Sequence, residues 1–418
     1  MGAIRYITAG ESHGKALVGI LEGIPSGLSL SEEDIDNDLR RRQGGYGRGG
    51  RMKIESDHAE IISGVRWGNT IGSPVALIIT NRDYKNWGEG MSVHARAAGS
   101  IPAVSRPRPG HADLPGAIKY DHHDIRNVLE RSSARETAMR VALGAVAKRF
   151  LAEFNITVGS YIVQIGAVRI PESGRISQSP QQKQLLQAFK RAEKSPVRCP
   201  DERVSQKMVR LIDKAVKEGN SLGGIFEVFV TNVPIGLGSH IQWDTRLDGR
   251  LAQALMGIQA IKGVETGLGF LMSGRFGSEV MDEIFYQGKA AGRGEKIRHA
   301  GNRSKEPEIS GNGFSRKTNF SGGIEGGMTN GLPVIVRAAM KPIPTQRKPL
   351  QSVDIFTKKR VEAAYERSDI CAVPAAGVIG EAVVALTIAD VFLQKFGGDS
   401  MTEVKRNYQS YVKYMQAF

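Results

Sequence analysis

Two histidines lie in short, glycine-bounded segments. His13 is in Gly10-Glu11-Ser12-His13-Gly14, and His111 is in Arg106-Pro107-Arg108-Pro109-Gly110-His111-Ala112-Asp113. An imidazole titrates near neutrality, so either ring could donate or accept a proton at physiological pH. For His13 alone, a polar turn residue bonding its own backbone is an equally simple reading. Around His111, Pro102, Pro107 and Pro109 stiffen the chain and fix where Arg106, Arg108 and His111 point.

Cations gather near these segments. Arg40-Arg41-Arg42 runs into a Gly-rich loop carrying Arg48 and Arg51. Such a loop could grip phosphates and carboxylates bidentately, bind RNA as an RGG-type segment, or be a solvated charge run. Glu130-Arg131-Ser132-Ser133-Ala134-Arg135-Glu136-Thr137 is expected to open a long helix. Free N–H groups, hydroxyls and guanidinium there would make an anion site. Plain N-capping would explain the serines but not Arg131 and Arg135. Lys341-Pro342-Ile343-Pro344-Thr345 and Arg367-Ser368-Asp369 add cations and a carboxylate that could act as a base or orient one. The sequence has no P-loop and no Ser-His-Asp signature, and Cys199 and Cys371 give no metal spacing. Gly45-Tyr46-Gly47-Arg48-Gly49-Gly50 approximates a dinucleotide fingerprint, but it follows a helix, which is the wrong context.

The elements that must hold these residues alternate along the chain. Ile4–Ala9 and Ala16–Ile24 read as strands flanking the His13 turn. Ser31 with Asp34 resembles a capping box, and Ile35 and Leu39 carry its helix to about Arg42. Strands are expected around Ala59–Val65, Val75–Thr80, Ile156–Ile165, Ile225–Val230, Val264–Leu271 and Leu332–Ala338. Helices are expected over Ser132–Phe154, Arg203–Lys217, Leu247–Ile261, Val353–Arg367 and Gly380–Phe396, with a further one before Arg203. Residues 81–123 show little periodicity, and 288–330 have a mobile-loop composition.

Lys and Arg number 57 against 43 Asp and Glu, a net charge of +14. That field attracts polyanions, whether nucleic acid, acidic membrane or an anionic small molecule. No apolar run reaches the roughly 18 residues of a bilayer span, and a basic, apolar leader is missing. A cytoplasmic location is expected.

Three of these strings resemble, in order, the signatures of the chorismate synthase family: GESHG with the strand ending at Glu22-Gly23-Ile24-Pro25, then ERSSARETAMRVALGAVAK, then RSDICAVPAAGVIGEAV. RPGHAD, IQAIKGVETG, GGIEGGMTNG and KPIPTQ lie between them in the family's order, so the resemblance covers almost the whole chain. It implies an α+β fold, a β-α-β sandwich with one catalytic core over residues 1–418, assembled as a homotetramer. Segments at about 40–52, 81–123 and 288–320 would be mobile.

The implied activity is an anti-1,4 elimination of phosphate from 5-enolpyruvylshikimate 3-phosphate beside reduced FMN. NADPH would be a reductant, and FAD and NADP are associated terms. No nucleic acid, membrane or metal is expected as a partner. The resemblance makes His13 the acid for the leaving phosphate and His111 the group beside the flavin. Asp369 would work with flavin N5 in removing the C6 proton. Arg131, Ser132, Ser133, Gln259, Ala260, Gly326, Lys341, Pro342, Ile343, Pro344, Thr345 and Arg367 would contact the flavin. Arg42 and Arg48 would hold NADP or substrate, and Ser12, Arg106 and Arg135 would hold substrate. Many relatives have Asn where this chain has Gln259. On this reading His13, His111, Arg131 and Asp369 must converge. Two other readings remain at this point, a basic RNA-binding protein and an NADPH-using flavin reductase.

Overall fold

The computed structural model describes residues 3–49, 56–171, 181–286, 313–365 and 369–418. Strands β1 (Arg5–Ala9) and β2 (Ala16–Glu22) flank the His13 turn as expected. Gly10, at φ +109°, makes that turn possible, because a Cβ there would sit 2.4 Å from the Ala16 carbonyl. Helix α1 (Glu32–Gln43) opens on the Ser31/Asp34 capping box and ends in the three arginines. After β3 (Glu60–Ser63) and the short ribbon β4 (Val65–Arg66) and β5 (Asn69–Thr70), β6 (Val75–Thr80) completes an antiparallel sheet of order β1-β2-β6-β3.

Residues 81–123 are more structured than their composition promises. They hold two 3-10 turns and α2 (Asp113–Lys119), whose seven residues are too few to show a period. Next come α3 (Arg126–Ser132) and α4 (Thr137–Ala152). The helix expected from Ser132 to Phe154 is therefore α4, which starts only at Thr137, after extended Ser133 and a 3-10 turn that separate it from α3. Ser132 closes α3, and Ser133 follows it with a hydroxyl that accepts the Arg135 N–H and caps the 3-10 turn leading into α4.

Strands β7 (Thr157–Ile165), β8 (Val168–Arg169) and β9 (Gly224–Thr231) surround helices α5 (Gln182–Lys194) and α6 (Glu202–Lys217) in sequence. Helix α7 (Leu247–Met256) stops at Gly257, short of the expected Ile261. Accordingly β10 (Ile261–Thr266) starts early and ends at positive-φ Gly267. Two hairpins follow, β11 (Ile284–Tyr286) with β12 (Phe314–Arg316), and β13 (Ile324–Glu325) with β14 (Met328–Thr329). Strand β15 (Val334–Met340) completes the second antiparallel sheet, of order β10-β15-β9-β7-β8. The loop expected over 288–320 falls largely on residues 287–312, outside the described residues.

The helix expected over Val353–Arg367 is instead a hairpin of β16 (Gln351–Val353) and β17 (Arg360–Glu362). Asp354 explains the difference, since its carboxylate accepts the Phe356 and Thr357 N–H groups at 3.0 and 2.8 Å and folds the chain into a turn. Helix α8 (Val373–Phe396) is longer than expected and is followed by α9 (Met401–Ala417). Contrary to expectation, α8 has the length and mean hydropathy (1.9) of a bilayer span. It is nevertheless buried inside the protein and carries Glu381 and Asp390.

Helices α4 and α8 pack together between the two sheets, which makes the expected β-α-β sandwich. Gly19 of β2 accommodates Met139 and Leu143 of α4, while Gly380 of α8 lies against Phe226 and Val228 of β9. At the centre, Gly144 of α4 meets Ala382 of α8 so closely that a Cβ would lie 2.4 Å from the Ala382 methyl. On the outer face of the second sheet Phe189 of α5 packs edge-on to Phe229.

Candidate functional site

The His13 turn is pinned from several sides. The Glu130 carboxylate on α3 lies 2.8 Å from His13 Nδ1 and accepts the His13 main-chain N–H at 2.7 Å. The imidazole stacks on Trp87 with ring centroids 4.3 Å apart. Ser12 donates its main-chain N–H to the Glu130 carbonyl and its hydroxyl to Ser133 Oγ at 3.1 Å. Arg131 spends its guanidinium on Thr8 and the Gly10 carbonyl, so it braces the end of β1. Ser132 bonds back to the Val128 carbonyl, as helix serines often do.

Beneath this turn lies a buried layer of charge. Asn81 donates to the Glu11 and Gly14 carbonyls and accepts from Arg135 Nε at 2.9 Å. Arg135 reaches Asp57 at 2.6 Å, and Arg42 Nη1 lies 3.5 Å from the other Asp57 oxygen. Arg42 also donates to Thr137 Oγ1 and the Ala134 carbonyl. Burial, reinforced by Arg48 and Arg135, draws Arg42 down to about 10 against the pull of Asp57 and Asp369. It stays cationic at neutral pH. Arg48 pairs with Asp369 at 2.8 Å, and the other Asp369 oxygen accepts the Gly49 N–H at 2.6 Å. The Gly44–Gly49 loop does follow α1, so it lacks the strand-loop-helix setting of a dinucleotide cradle. Its placement gives no support to FAD or NADP as a resident cofactor.

His111 belongs to a second cluster. Its Nδ1 lies 2.5 Å from Asp113 Oδ1 at the start of α2. Arg108 donates its main-chain N–H and its Nε to the other Asp113 oxygen, both at 2.9 Å, and a further N–H to Thr345 Oγ1. Burial alone would raise the Asp113 carboxyl, but the His111 hydrogen bond and the Arg108 guanidinium hold it well below the carboxylate range. Lys341 donates to the Gly110 carbonyl, and burial with nearby Lys262 lowers its ammonium below the ordinary value. Arg106 is exposed on the same loop, whose Pro107 carbonyl accepts from Ser352 of the β16–β17 hairpin.

A continuous run of contacts joins the clusters. The Lys341 main chain donates to the Ala260 carbonyl, and neighbouring Gln259 donates to Glu136 at 2.7 Å, next to Arg135. Packing of Val128 against Gly116 also ties α3, which carries Glu130, to α2, which carries Asp113. Ile343 accepts from Ser221 through its carbonyl, within the extended Lys341–Thr345 strip. Gly326 stands apart at the β13–β14 turn, beside His240. Arg367 lies outside the described residues.

Several site residues had no role in the sequence reading, among them Trp87, Asn81 and Asp57. Glu130 and Asp113 lay inside quoted motifs without an assigned task. A carboxylate within the same motif as a histidine was the available signal for Asp113. Nothing local pairs His13 with Trp87 or Glu130, which are far along the chain.

The chorismate synthase family profile matches residues 4–393. Over 415 residues the chain is 55% identical to a chorismate synthase of Geotalea uraniireducens (strain Rf4), covering 99% of this chain and 100% of that protein. It is 54% identical over 415 residues to the chorismate synthase of Aquifex aeolicus (strain VF5), covering 99% of each. A crystal structure of chorismate synthase superposes with a TM-score of 0.78 at 46% identity, covering 99% of both chains.

Proposed function

The chain belongs to the chorismate synthase family of lyases, and from that premise we propose that it converts 5-enolpyruvylshikimate 3-phosphate to chorismate by anti-1,4 elimination of phosphate, using reduced FMN. The observation that carries this reading is a set of hydrogen bonds that links the two histidine clusters through chain neighbours: Arg135 to Asn81 and Asn81 to Gly14 beside His13, Gln259 to Glu136 beside Arg135, and Lys341 to Ala260 and to Gly110 beside His111. It ties two imidazoles and several cations into one connected region, which supports a reading in which they serve a substrate with a phosphate and two carboxylates.

The residues present fit a flavin. Gln259 Oε1 is buried without a hydrogen-bond partner among the described residues, an acceptor suited to a ring N–H. The Ala260 backbone, next in the chain, and Lys341, which bonds it, would hold the group with Thr345. When bound, reduced FMN supplies electron density to the allylic system as the C3–O bond breaks. His13 delivers a proton to the departing phosphate, which would otherwise leave as a trianion. His111 holds the protonation state next to the flavin, and Asp369 takes part in removing the C6 hydrogen. Arg48, paired with Asp369, orients that carboxylate. Arg42 and Arg135 lie buried in the layer below, where they support the site's positive field. Ile7, Ile20 and Ile62, exposed on the first sheet, support assembly with other copies as a homotetramer.

Anaerobic incubation with the enolpyruvyl substrate and chemically reduced FMN, without NADPH, should yield chorismate. If no chorismate forms and NADPH is oxidised when added with flavin, the protein works as a flavin reductase, and salt-sensitive RNA binding without turnover would favour the nucleic-acid reading. Asp369→Asn keeps an acceptor for the Gly49 N–H but loses the charge facing Arg48. Its turnover should fall by about tenfold or more while flavin binding persists. Loss of folding would instead mark Asp369 as part of a structural ion pair.

A further inference from the structure

Both proposed catalytic imidazoles are held in the same way. His13 Nδ1 faces Glu130 at 2.8 Å, and His111 Nδ1 faces Asp113 at 2.5 Å. The two carboxylate side chains are only 3% and 1% exposed. Each also accepts a main-chain N–H from the loop that carries its histidine, from His13 itself in one case and from Arg108 in the other. Each has a guanidinium at hand: Arg126 lies 3.7 Å from Glu130, and Arg108 Nη2 is 3.1 Å from Asp113 Oδ1. An ionised carboxylate accepts and cannot donate, so the nitrogen it meets must carry the proton.

From this repeated geometry we infer that Glu130 and Asp113 are positioning residues that lock His13 and His111 in the Nδ1–H tautomer, leaving Nε2 as the atom through which each exchanges a proton. The inference rests on the lyase reading for what those protons do. A ring free to exchange tautomers would present the wrong nitrogen part of the time, and a ring free to rotate would present neither reliably. At His13 the lock is doubled. Glu130 fixes the ring edge, Trp87 covers its face, and Arg126 lies 4.8 Å from the Trp87 ring while also reaching Glu130. At His111 the Arg108 Nη2 lies 3.1 Å from Nδ1 and 3.4 Å from Nε2, too nearly equidistant to point along either ring lone pair, so it bounds the ring while Asp113 Oδ1, at 2.5 Å, takes the Nδ1 direction.

The decisive measurement is nitrogen NMR of the imidazoles in the full-length protein labelled at histidine. The chain has 8 histidines, so His13 and His111 are assigned by loss of a signal in H13A and H111A. Wild-type His13 and His111 should show the Nδ1–H tautomer when neutral, and Glu130→Gln and Asp113→Asn should each release the lock at its own ring only. In steady-state assays each variant should lose about 10- to 10²-fold in kcat with KM within about twofold, as expected for a misheld acid–base group. An Nε2–H tautomer in the wild type overturns the inference, even if a variant fails to fold. So does an unchanged signal in Glu130→Gln, or a released tautomer with unaltered kcat. The NMR signature is read without turnover, so failure of the lyase reading appears separately, as a wild-type protein that makes no chorismate.

Discussion

His13→Ala should lower turnover by about 10- to 10³-fold, and His111→Ala should do the same, with the fold intact. Neither side chain is part of the packed core, so neither substitution opens a cavity there. What each removes is a proton-transfer group whose surroundings are already built. In H13A the Glu130 carboxylate keeps the main-chain N–H at position 13, which limits collapse of the turn. In H111A Asp113 keeps its bonds to Arg108. The loss should therefore fall on kcat, and circular dichroism and unfolding midpoints should stay near those of the wild type. The double variant should lose less than the product of the two single losses if both act in one transition state. Near-wild-type rates in both single variants would refute the assigned roles.

The sequence carried much of this arrangement, and the reasons it did so are local. The Ser31/Asp34 box, the short spacing from β1 to β2 and the β-branched apolar run in Val75–Thr80 are each decided by neighbours along the chain. Failures came where the deciding contact was different in kind or distant. Residues 353–367 have a helix-like pattern, yet one Asp354 side chain captures two N–H groups and turns the segment into a hairpin. Ser133 does cap, but it caps the 3-10 turn ahead of α4, and the break after α3 goes with the bond that Ser12 of the His13 turn makes to Ser133. Arg131 and Arg135 also make contacts that no local pattern shows: one braces β1 and the other is buried against Asp57.

The arginine run shows the same limit at single-residue scale, and it leads to the largest stability effect expected here. In the sequence Arg40, Arg41 and Arg42 form one charged patch. In the fold they part: Arg40 bonds Glu33 and Asn37 at the surface, and Arg42 turns into the site. Arg41 instead reaches Glu381, a fully buried carboxylate in the middle of α8, at 2.7 Å. Lys148 of α4 lies 2.9 Å from Glu381, Arg198 is 3.1 Å away, and Ser160 of β7 donates to it at 2.6 Å. Asp38 and Glu193 complete the cluster, so three cations face three carboxylates across α1, α4, α5, α8 and the loop after α5. Glu381→Ala removes the one fully buried carboxylate and leaves three largely buried cations against two, and should cost about 3–5 kcal/mol, read as a lowered urea midpoint. Glu381→Gln, which keeps the shape and can still accept from Ser160, should cost less.

The pH dependence gives a second readout. Burial would raise the Glu381 carboxyl, but Arg41, Lys148 and Arg198 outweigh it and hold it far below the ordinary 4.5. A depressed carboxyl contributes stability that is complete above its unfolded value and is lost as pH falls toward the folded one. Below about pH 4.5 the wild type should therefore lose stability more steeply than Glu381→Ala, and the gap between them should narrow. A gap that stayed constant with acidification would mean that the side chain acts by filling space and its charge contributes nothing. Because Arg41 and Arg42 are adjacent on the last turn of α1, the charge that anchors Arg41 to α8 also sets the direction in which Arg42 enters the site.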